Sequence, residues 1–360
     1  MCFLLALKSD KAELKQKVVI GYVGGFHGLI NINNIAAQKL THINYAFVNI
    51  KNNRAFLSNE STDTVNLRKL NELKSKNPTL QILISIGGWT WSRNFSDAVL
   101  TDTSRRRFAA SAVQIIRKFK LDGIDIDWEY PALPGDSGNV YRPEDKQNYT
   151  LLLQVLRNSL DSLQSQTKTK KLLTVAVGGF DEFLEHTEMN KAQKYLDFIN
   201  LMTYDFYPDK VAIHHTNLYP SKKYKGNSAD AAFKAYVAAG VPAGKLVIGV
   251  AFYSRAMKLK PKNTTGLGDS ILSTGYGKGF TYIKDSLINR NGFKVYKDRK
   301  AKADYIYNPQ TAEFMTFDDE YSVKEKCKYA KNHGMAGVMF WEYDSDIKNY
   351  LLDQINKTLK

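Results

Sequence analysis

Eight short runs of β-branched and other apolar residues recur along this chain, and longer, more polar segments separate them. Runs of this length and composition are typical of buried strands. The expected strands are Val18–Tyr22, His42–Val48, Gln81–Ile86, Gly123–Asp127, Leu172–Ala176, Phe198–Thr203, Leu246–Ala251 and Ala336–Trp341. Amphipathic stretches long enough for crossover helices lie between them, among them Ser104–Phe119, Lys146–Leu163, Ala229–Ala239 and Ser322–Asn332. Eight strand-then-helix units predict an α/β fold, a (β/α)8 TIM barrel, with its functional site at the carboxyl ends of the strands.

One connection in this pattern is too long for an ordinary loop. From Met257 to Thr316 the chain runs for roughly 60 residues, which is far beyond the usual length of a connection. We expect residues 257–316 to form a small inserted α+β subdomain between strand 7 and strand 8. The catalytic barrel would then consist of residues 17–256 and 317–360, with residues 1–16 as a tail or truncated leader. Because the insertion leaves the barrel at the carboxyl end of a strand, it is predicted to form one wall of the active-site cleft.

An acidic run marks the fourth expected strand. Residues 121–131 read Leu-Asp-Gly-Ile-Asp-Ile-Asp-Trp-Glu-Tyr-Pro. Side chains alternate along a strand, so Asp125, Asp127 and Glu129 would share one face, each about 7 Å from the next. Neighbouring carboxylates raise one another's pKa, and at least one of them should hold a proton near neutral pH. A general acid requires such a proton, so the run predicts acid catalysis.

Two other interpretations of the acidic run are a solvated strand face and a metal site. Ile124, Ile126 and Trp128 would fill the opposite face of the strand, and unpaired acids on a half-buried strand are usually functional. The run lacks the loop spacing of a calcium-binding hand and contains no histidine. His214 and His215 are adjacent, so they point apart, and no further ligand is evident. No metal is therefore expected.

The composition limits the possible partners. The chain has 360 residues and a formal charge of +15, which attracts anionic surfaces over long range. Its lysines are scattered, and no nucleic-acid signature is present, so no nucleic-acid partner is expected. No stretch approaches the length of a membrane span. The apolar start, Met1–Leu7, is too short for a complete signal-peptide core and lacks a basic flank.

Several motifs carry a resemblance to a known family. The segment Asp122-Gly123-Ile124-Asp125-Ile126-Asp127-Trp128-Glu129 resembles the signature of the family-18 glycoside hydrolases, the chitinases. Further segments match the family's pattern in the expected order between residues 18 and 345. They are Ser85-Ile86-Gly87-Gly88-Trp89 on the third strand, Met202-Thr203-Tyr204-Asp205 on the sixth, Phe252-Tyr253-Ser254-Arg255 after the seventh, and Trp341 on the eighth.

The resemblance implies a retaining hydrolysis of chitin or chito-oligosaccharides without an enzyme nucleophile. The substrate's own 2-acetamido oxygen attacks the anomeric carbon in that scheme. Glu129 protonates the leaving oxygen and later deprotonates water, Asp127 hydrogen-bonds the acetamido nitrogen, and Asp125 shares a proton with Asp127. Tyr204 and Asp205 resemble the pair that clamps the acetamido group and the scissile sugar. No cofactor is implied.

The resemblance also implies a set of substrate-binding side chains. Trp341 would form the hydrophobic floor under the distorted sugar, and Trp89 a further stacking platform. The other implied contacts are Tyr22, Trp128, Met202 and Arg255, and the supporting motif residues are Asp122, Ser85, Gly87 and Gly88.

Each of these residues also has a purely structural interpretation. Taken alone, a tryptophan is more often a core residue, and a buried tyrosine such as Tyr204 is often structural. Met202 is core filler at least as often as a ligand contact. Arg255 could pair with a carboxylate of the groove or belong to a surface ion pair. Gly87 and Gly88 are expected to permit a close backbone approach near the catalytic strand.

The chain departs from the family pattern outside the carboxylates. Gly24-Gly25-Phe26 stands where many members have tryptophan, Phe206-Tyr207-Pro208 replaces the usual glycine after Asp205, and Ser254 replaces a commoner glycine. The first two departures affect the expected outer subsites.

Two other functions are considered: a chitin-binding lectin on the same barrel, and an endo-β-N-acetylglucosaminidase acting on N-glycan cores, which would share the acid motif. Lectins of the family typically lose the acid that this chain keeps at Glu129. The Tyr204–Asp205 pair and the insertion favour a chitinase. We expect a monomer whose partner is a polysaccharide, and an insoluble substrate implies secretion.

Overall fold

The computed structural model describes residues 16–206, 208, 210–260 and 264–360. The apolar start and nearly all of the expected tail lie outside these residues. The strands of the described chain are β1 Val18–Gly24, β2 His42–Lys51, β3 Arg54–Phe56, β4 Gln81–Gly87, β5 Gly123–Asp127, β6 Leu172–Gly178, β7 Phe198–Met202, β8 Leu246–Ala251, β9 Tyr253–Leu259, β10 Ile271–Gly279, β11 Lys294–Asp298, β12 Ala303–Asn308, β13 Glu313–Phe317 and β14 Gly337–Trp341.

Helices occupy most of the connections between these strands. They are α1 Glu60–Glu72, α2 Phe95–Val99, α3 Asp102–Lys118, α4 Asp145–Thr167, α5 Asp181–Glu185, α6 Met189–Ala192, α7 Ala229–Ala238, α8 Phe280–Tyr282, α9 Glu320–Asn332 and α10 Tyr350–Leu359. A π-helix, Ile283–Leu287, continues α8. Short 3-10 turns lie at Gly25–His27, Ile32–Asn34, Ala37–Lys39, Leu73–Ser75, Gln193–Tyr195, Ala243–Lys245 and Tyr343–Asp346.

Eight parallel strands close into a barrel in the order β1-β14-β8-β7-β6-β5-β4-β2, and β2 pairs again with β1. The first and last strands of the chain's barrel, β1 and β14, pair with Val18 opposite Gly337 and Gly21 opposite Phe340. β3 is not part of the ring, because it pairs antiparallel with β2 as a hairpin. The expected (β/α)8 barrel is therefore confirmed, and each expected strand matches one of these eight to within three residues at either end.

Burial on both faces explains why the barrel strands read as continuous apolar runs. Every residue of β6 and β8 is buried, as is usual where helices cover a parallel sheet. The large cluster of Ile, Leu and Phe side chains lies between the strands and the helices. A smaller cluster fills the barrel interior and includes Ile20, Tyr22, Val247 and Met339.

Side-chain caps fix where two of the long helices begin. Before α3, Thr101 and Ser104 form a reciprocal capping box, and Asp319 and Ser322 form another before α9. Such boxes satisfy backbone N–H groups that have no partner within the helix. The structure starts α3 and α9 two residues earlier than the apolar pattern predicts, because the first turn of each helix is polar.

A five-stranded antiparallel sheet follows β8, in the order β10-β9-β13-β12-β11. It begins at Tyr253, two residues after β8 ends, because the chain turns at Phe252, whose ring stacks on Phe340 at 4.0 Å. The expected boundary at residue 257 therefore falls inside β9. Apolar side chains of this sheet form a separate cluster, which includes Met257, Tyr307 and Phe314.

Candidate active site

The acidic run lies along β5, and its side chains alternate as predicted. Asp125 and Asp127 point into the barrel, whereas Ile124 and Ile126 pack in the outer core. The strand ends at Asp127, so Glu129 lies in the turn beyond it. This arrangement places one carboxyl group deep in the barrel, a second above it and a third at the mouth.

Asp125 is completely buried and is held by donors from four other strands of the barrel, β1, β4, β6 and β7. Its Oδ2 accepts hydrogen bonds from the Tyr22 hydroxyl at 2.9 Å and the Ser85 hydroxyl at 2.8 Å. Its Oδ1 accepts from the Thr174 hydroxyl at 2.5 Å and from Asn200 Nδ2 at 3.3 Å. Burial raises the pKa of Asp125, and these hydrogen bonds oppose the rise. The network fixes the position of this carboxyl group below Asp127.

Asp127 has a buried carboxylate oxygen without a partner. Its Oδ1 accepts no hydrogen bond from any described residue. Burial, followed by the charges of Glu129 and Asp125, raises the pKa of Asp127 well above its usual value. A buried acceptor left unsatisfied is costly and is expected to have a functional reason. The oxygen is free to accept a hydrogen bond from a ligand in the barrel mouth.

Glu129 is half-buried and has the pKa of a group that can donate a proton near neutrality. Burial and, to a lesser degree, the charge of Asp205 raise the pKa of Glu129, a hydrogen bond with Tyr130 lowers it, and together they bring it to about 7. Its backbone is held on both sides, because its N–H donates to Ser92 Oγ at 2.9 Å and its carbonyl accepts from Asn139 Nδ2 at 3.1 Å.

The sixth barrel strand delivers Tyr204 and Asp205 to the same mouth. Arg255, on β9, donates two hydrogen bonds to the Asp205 carboxylate, Nε to Oδ1 at 2.6 Å and Nη2 to Oδ2 at 2.5 Å. His215 Nδ1 lies 3.4 Å from Asp205 Oδ1. Burial alone would raise the pKa of Asp205, but hydrogen bonds from His215 and Arg255 hold it below its usual value. The site therefore pairs a permanent anion with an acid that retains its proton.

Aromatic rings cover the floor and rim of the mouth. Trp341 is half-buried, and its ring stacks near Phe47 at 5.3 Å and Phe26 at 6.1 Å, with interplanar angles of 18° and 21°. Trp89 is 47% exposed at the rim, edge-on to Tyr130 at 6.4 Å. Flat, accessible rings beside carboxyl groups form a surface on which the C–H face of a sugar can pack.

Two glycines let the third-strand turn approach β5 closely. A Cβ atom at Gly87 would lie 2.1 Å from the carbonyl oxygen of Asp127, and one at Gly88 would lie 2.6 Å from the Phe47 ring. Both residues have positive φ, which side chains rarely allow. The Gly88 N–H donates to the Asp127 carbonyl at 2.7 Å. The close backbone approach expected here is present.

Comparisons with known proteins agree with this geometry. The family model described as glycosyl hydrolases family 18 matches residues 18–346. The chain belongs to this family. Chitinase A1 of Niallia circulans is 36% identical over 391 residues, an alignment that covers 91% of this chain but only 56% of that longer protein. Chitotriosidase-1 of Mus musculus is 34% identical, over 85% of this chain and 67% of its own length.

A solved family-18 structure is more similar still. The N-acetylglucosaminidase of Paenibacillus barengoltzii is 41% identical and superposes with a TM-score of 0.88, covering 95% of this chain and 99% of that one. Both the barrel and the segments after its strands are therefore shared with other members of family 18.

Two of the residues expected at the site of this family-18 chain, Trp128 and Asp122, lie elsewhere, and a third, Tyr22, lies beneath the mouth. Trp128 is 2% exposed and packs in the outer core, stacked on Phe95 at 5.0 Å, because strand alternation turns it away from the cleft. Tyr22 is 1% exposed, and its hydroxyl donates to Asp125, so it helps to hold that carboxyl group in place. Asp122 precedes β5 at the opposite end of the barrel, where it pairs with Lys74 at 2.6 Å.

The remaining expected residues surround the mouth. Ser85 donates to Asp125, as described above. Met202 is half-buried at the end of β7 and packs against the barrel-interior cluster, as does Tyr204, whose hydroxyl lies 3.7 Å from Met339 Sδ. These positions are compatible with a ligand contact for Tyr204 and with a filling role for Met202.

Several residues of the site were not predicted from the sequence. Thr174 and Asn200 bind Asp125, and the detectable signal was a polar side chain inside an otherwise apolar strand. Phe47 extends the aromatic floor, and Ser92 holds the Glu129 backbone. His215 contacts Asp205, whereas the two adjacent histidines were considered only as metal ligands, a role not expected of them. No local pattern marks these last three residues.

Nowhere in the described ranges do three or more His, Cys, Asp or Glu side chains converge as a metal ion would require. Among the helices of those ranges, not one combines the length and the apolar character needed to cross a bilayer.

Proposed function

We propose that this protein is a chitinase that hydrolyses β-1,4-linked N-acetylglucosamine polymers with retention of configuration. The observation that carries the proposal is Glu129, whose pKa of about 7 leaves it protonated at the mouth, above the unpartnered Asp127 oxygen. Two relatives are named for this chemistry, chitinase A1 and chitotriosidase-1. The retained acid argues against a lectin role.

The proposed reaction uses the substrate as its own nucleophile. Glu129 donates its proton to the glycosidic oxygen while the acetamido carbonyl oxygen attacks the anomeric carbon, so the C–O bond to the leaving sugar breaks. The acetamido N–H donates to Asp127 Oδ1, which stabilises the positive oxazolinium intermediate. Glu129, now ionised, takes a proton from water. The water oxygen attacks the anomeric carbon and opens the oxazolinium ring, which restores the acetamido group. The carboxylic acid is restored, and one water has been consumed.

The surrounding groups position the sugar and set the charge. Asp125 and Asp127 share one proton in the resting state, in keeping with the raised pKa of both. Tyr204 and Asp205 hold the acetamido group and the scissile sugar, and Arg255 keeps Asp205 in place. Trp341 supports the distorted ring from below. The proposed reaction uses only these side chains, the substrate and water, so it requires no cofactor, and we propose that the enzyme acts as a monomer.

We also propose that the five-stranded sheet is a small inserted subdomain that forms one wall of the cleft. Its separate apolar cluster supports this assignment, and Arg255 on β9 extends from it to Asp205. We place its boundaries at 253–317 instead of the expected 257–316, since β9 begins at Tyr253 and β13 ends at Phe317. Chitin is insoluble, so an enzyme that degrades it has to act outside the cell, and we propose an extracellular location.

A product assay on N-acetylglucosamine oligomers tests the proposal. The enzyme should cleave these oligomers, and the matched oligomers of glucosamine, which lack the acetyl amide, should remain intact. Equal cleavage of both series would overturn the substrate-assisted reaction. Binding without products would indicate a lectin, and release of glycans from a glycoprotein alone would indicate an endo-β-N-acetylglucosaminidase.

Release of single sugars from chain ends is a second candidate. The Paenibacillus barengoltzii relative, which this chain matches over almost its full length, is named as an N-acetylglucosaminidase. The same assay separates the two candidates by the first product formed: monomer alone for release from chain ends, and dimers or longer fragments for a chitinase.

The raised pKa of Glu129 predicts the basic limb of the pH profile. Only the protonated acid can donate to the leaving oxygen, so kcat/KM should fall as the pH rises through about 7. Asp205 stays ionised throughout, since its pKa is held below the usual value. Steady-state rates on a soluble oligomer across the neutral range measure this limb. A rate that stays constant into strongly basic pH would contradict the assignment of Glu129 as the acid.

A further inference from the structure

A buried ion pair lies behind the active site, and the reaction proposed above does not use it. Lys326, on α9, and Asp318, just before that helix, are both completely buried, with Lys326 Nζ 2.7 Å from Asp318 Oδ2. Removing two charges from water is costly, and a buried pair is weak evidence for stability. The reason for burying this pair is therefore sought in the groups that it contacts.

The pair holds the backbone at the carboxyl end of β8. Asp318 Oδ2 also accepts from the N–H of Ala251 at 3.0 Å, and Asp318 Oδ1 accepts from the Ser322 hydroxyl at 2.7 Å. Lys326 Nζ donates to the carbonyl of Gly249 at 3.3 Å. These three partners lie in β8 or in the first turn of α9.

Thr216 connects the pair to two segments: the one that carries Asp205 and the one that carries His215, which contacts Asp205. Its hydroxyl accepts from Lys326 Nζ at 2.6 Å and lies 2.9 Å from Asp318 Oδ2 and 3.1 Å from the carbonyl of Thr203. Thr203 comes two residues before Asp205, and Thr216 directly follows His215, which contacts Asp205. The Thr216 hydroxyl therefore links the ion pair to both segments, the one that contains Thr203 and Asp205 and the one that contains His215.

Asp205 needs such support because its backbone is in an uncommon conformation. Its φ is +56°, in the left-handed region that residues other than glycine rarely adopt. Residues held in such a conformation persist when the surrounding structure fixes them. The N–H of Phe206 donates to the His215 carbonyl at 3.1 Å, and the N–H of His215 donates to Thr316 Oγ1 at 3.2 Å.

We propose that Lys326 and Asp318 are positioning residues for Asp205, acting through Thr216 on the segments that contain Thr203 and His215. The pair keeps the Asp205 carboxylate against Arg255 and close enough to Glu129 to influence its proton. The proposal rests on the hydrolytic function proposed above only for its kinetic readouts.

The first test removes the pair without leaving one charge alone in the core. The variant Lys326→Met/Asp318→Leu should fold, since apolar replacement of both partners avoids an unpaired charge. We expect its kcat on N-acetylglucosamine oligomers to fall roughly 10- to 100-fold, the loss that a small misplacement of a catalytic group produces. KM should change much less. A folded variant with unchanged kcat would overturn the proposal.

Lys171→Met is the matched control for loss of a buried lysine. Lys171 is 6% exposed at the opposite end of the barrel, where its Nζ donates to the carbonyl of Leu121 at 2.8 Å. Its kcat should equal that of the wild type. Thr216→Val serves if the double variant does not fold, because it keeps the pair and removes only the connecting hydroxyl. Loss of this hydroxyl and its hydrogen bonds should lower kcat by roughly two- to tenfold, and no loss would reject the proposal.

The pH profile and a mutant cycle separate positioning from general loss of structure. Glu129 is faced by Asp127, Asp205, Tyr130 and Tyr204, and Asp205 by Arg255 and His215. The charge of Asp205 raises the pKa of Glu129, so a displaced Asp205 should move the basic limb to lower pH, as Asp205→Asn should. The double variant combined with Asp205→Asn should then lose little further activity. Fully additive losses, or an unmoved basic limb, would contradict the proposal.

One readout is independent of catalysis. The NMR signal of the His215 imidazole, assigned with a His215→Gln variant, should shift in Lys326→Met/Asp318→Leu and stay in place in Lys171→Met. If the wild type proves inactive on every oligomer, the proposed function fails while this shift still tests the positioning. An unmoved His215 signal would overturn the positioning even in an active enzyme.

Discussion

Replacing Glu129 with glutamine is expected to lower kcat on N-acetylglucosamine oligomers by roughly 10²- to 10⁴-fold, the usual contribution of a positioned general acid. Glutamine has the same size and retains polar atoms, so substrate binding should survive. It cannot supply the proton that Glu129 holds with a pKa of about 7. Initial rates on a soluble oligomer, with kcat and KM fitted separately, measure the effect.

Asp304→Asn is the matched control for this substitution. Burial and the nearby charge of Asp319 raise the pKa of Asp304 to about 7 as well, but this carboxyl lies on β12 of the five-stranded sheet. Its replacement should leave kcat within about twofold of the wild type. If Glu129→Gln retained most of the wild-type kcat, the identity of the acid would have to be reconsidered.

Replacing Asp127 with asparagine should lower kcat by roughly 10²- to 10³-fold, which is the typical loss when one preorganised electrostatic group is removed from a site. The substitution keeps the shape of the side chain but removes the negative charge beside the positive intermediate. Because Asp127 Oδ1 has no partner among the described residues, its interaction arises only with substrate present. The loss should therefore appear in kcat far more than in KM.

Asp122→Asn provides a control from the same acidic run. Asp122 lies at the opposite end of β5 and pairs with Lys74, so its replacement should leave kcat unchanged and cost about 1 kcal/mol of stability or less. Thermal unfolding measures that cost.

A rise in KM at constant kcat for Asp127→Asn would show that Asp127 binds the ground state, and the proposed charge stabilisation would be wrong.

The barrel could be predicted from the sequence because burial on both faces leaves a direct trace in it. β6 and β8 are short apolar runs bounded by polar segments, and α3 and α4 show the apolar spacing of helices. The insertion was harder to delimit, since a single residue, Phe252, separates the barrel from β9. The stacking of Phe252 on Phe340, far along the chain, determines that turn.

The carboxyl groups of the site could also be predicted, because alternation along one strand is a local property. The same rule excludes Trp128 from the cleft, and the family resemblance that included it was misleading on this point. His215 and Asn200 could not be assigned, since each contacts a carboxylate from another part of the chain. Contacts of this kind depend on how the strands are arranged around the ring.

The closure of that ring constrains how the chain can be made. β1 pairs with β14, so the first strand of the barrel keeps an open edge until residues up to Trp341 have been synthesised. An open strand edge is a template for association with other chains, and contacts this distant along the sequence form slowly. A nascent chain that stops before β14 exposes this edge and is therefore prone to aggregation.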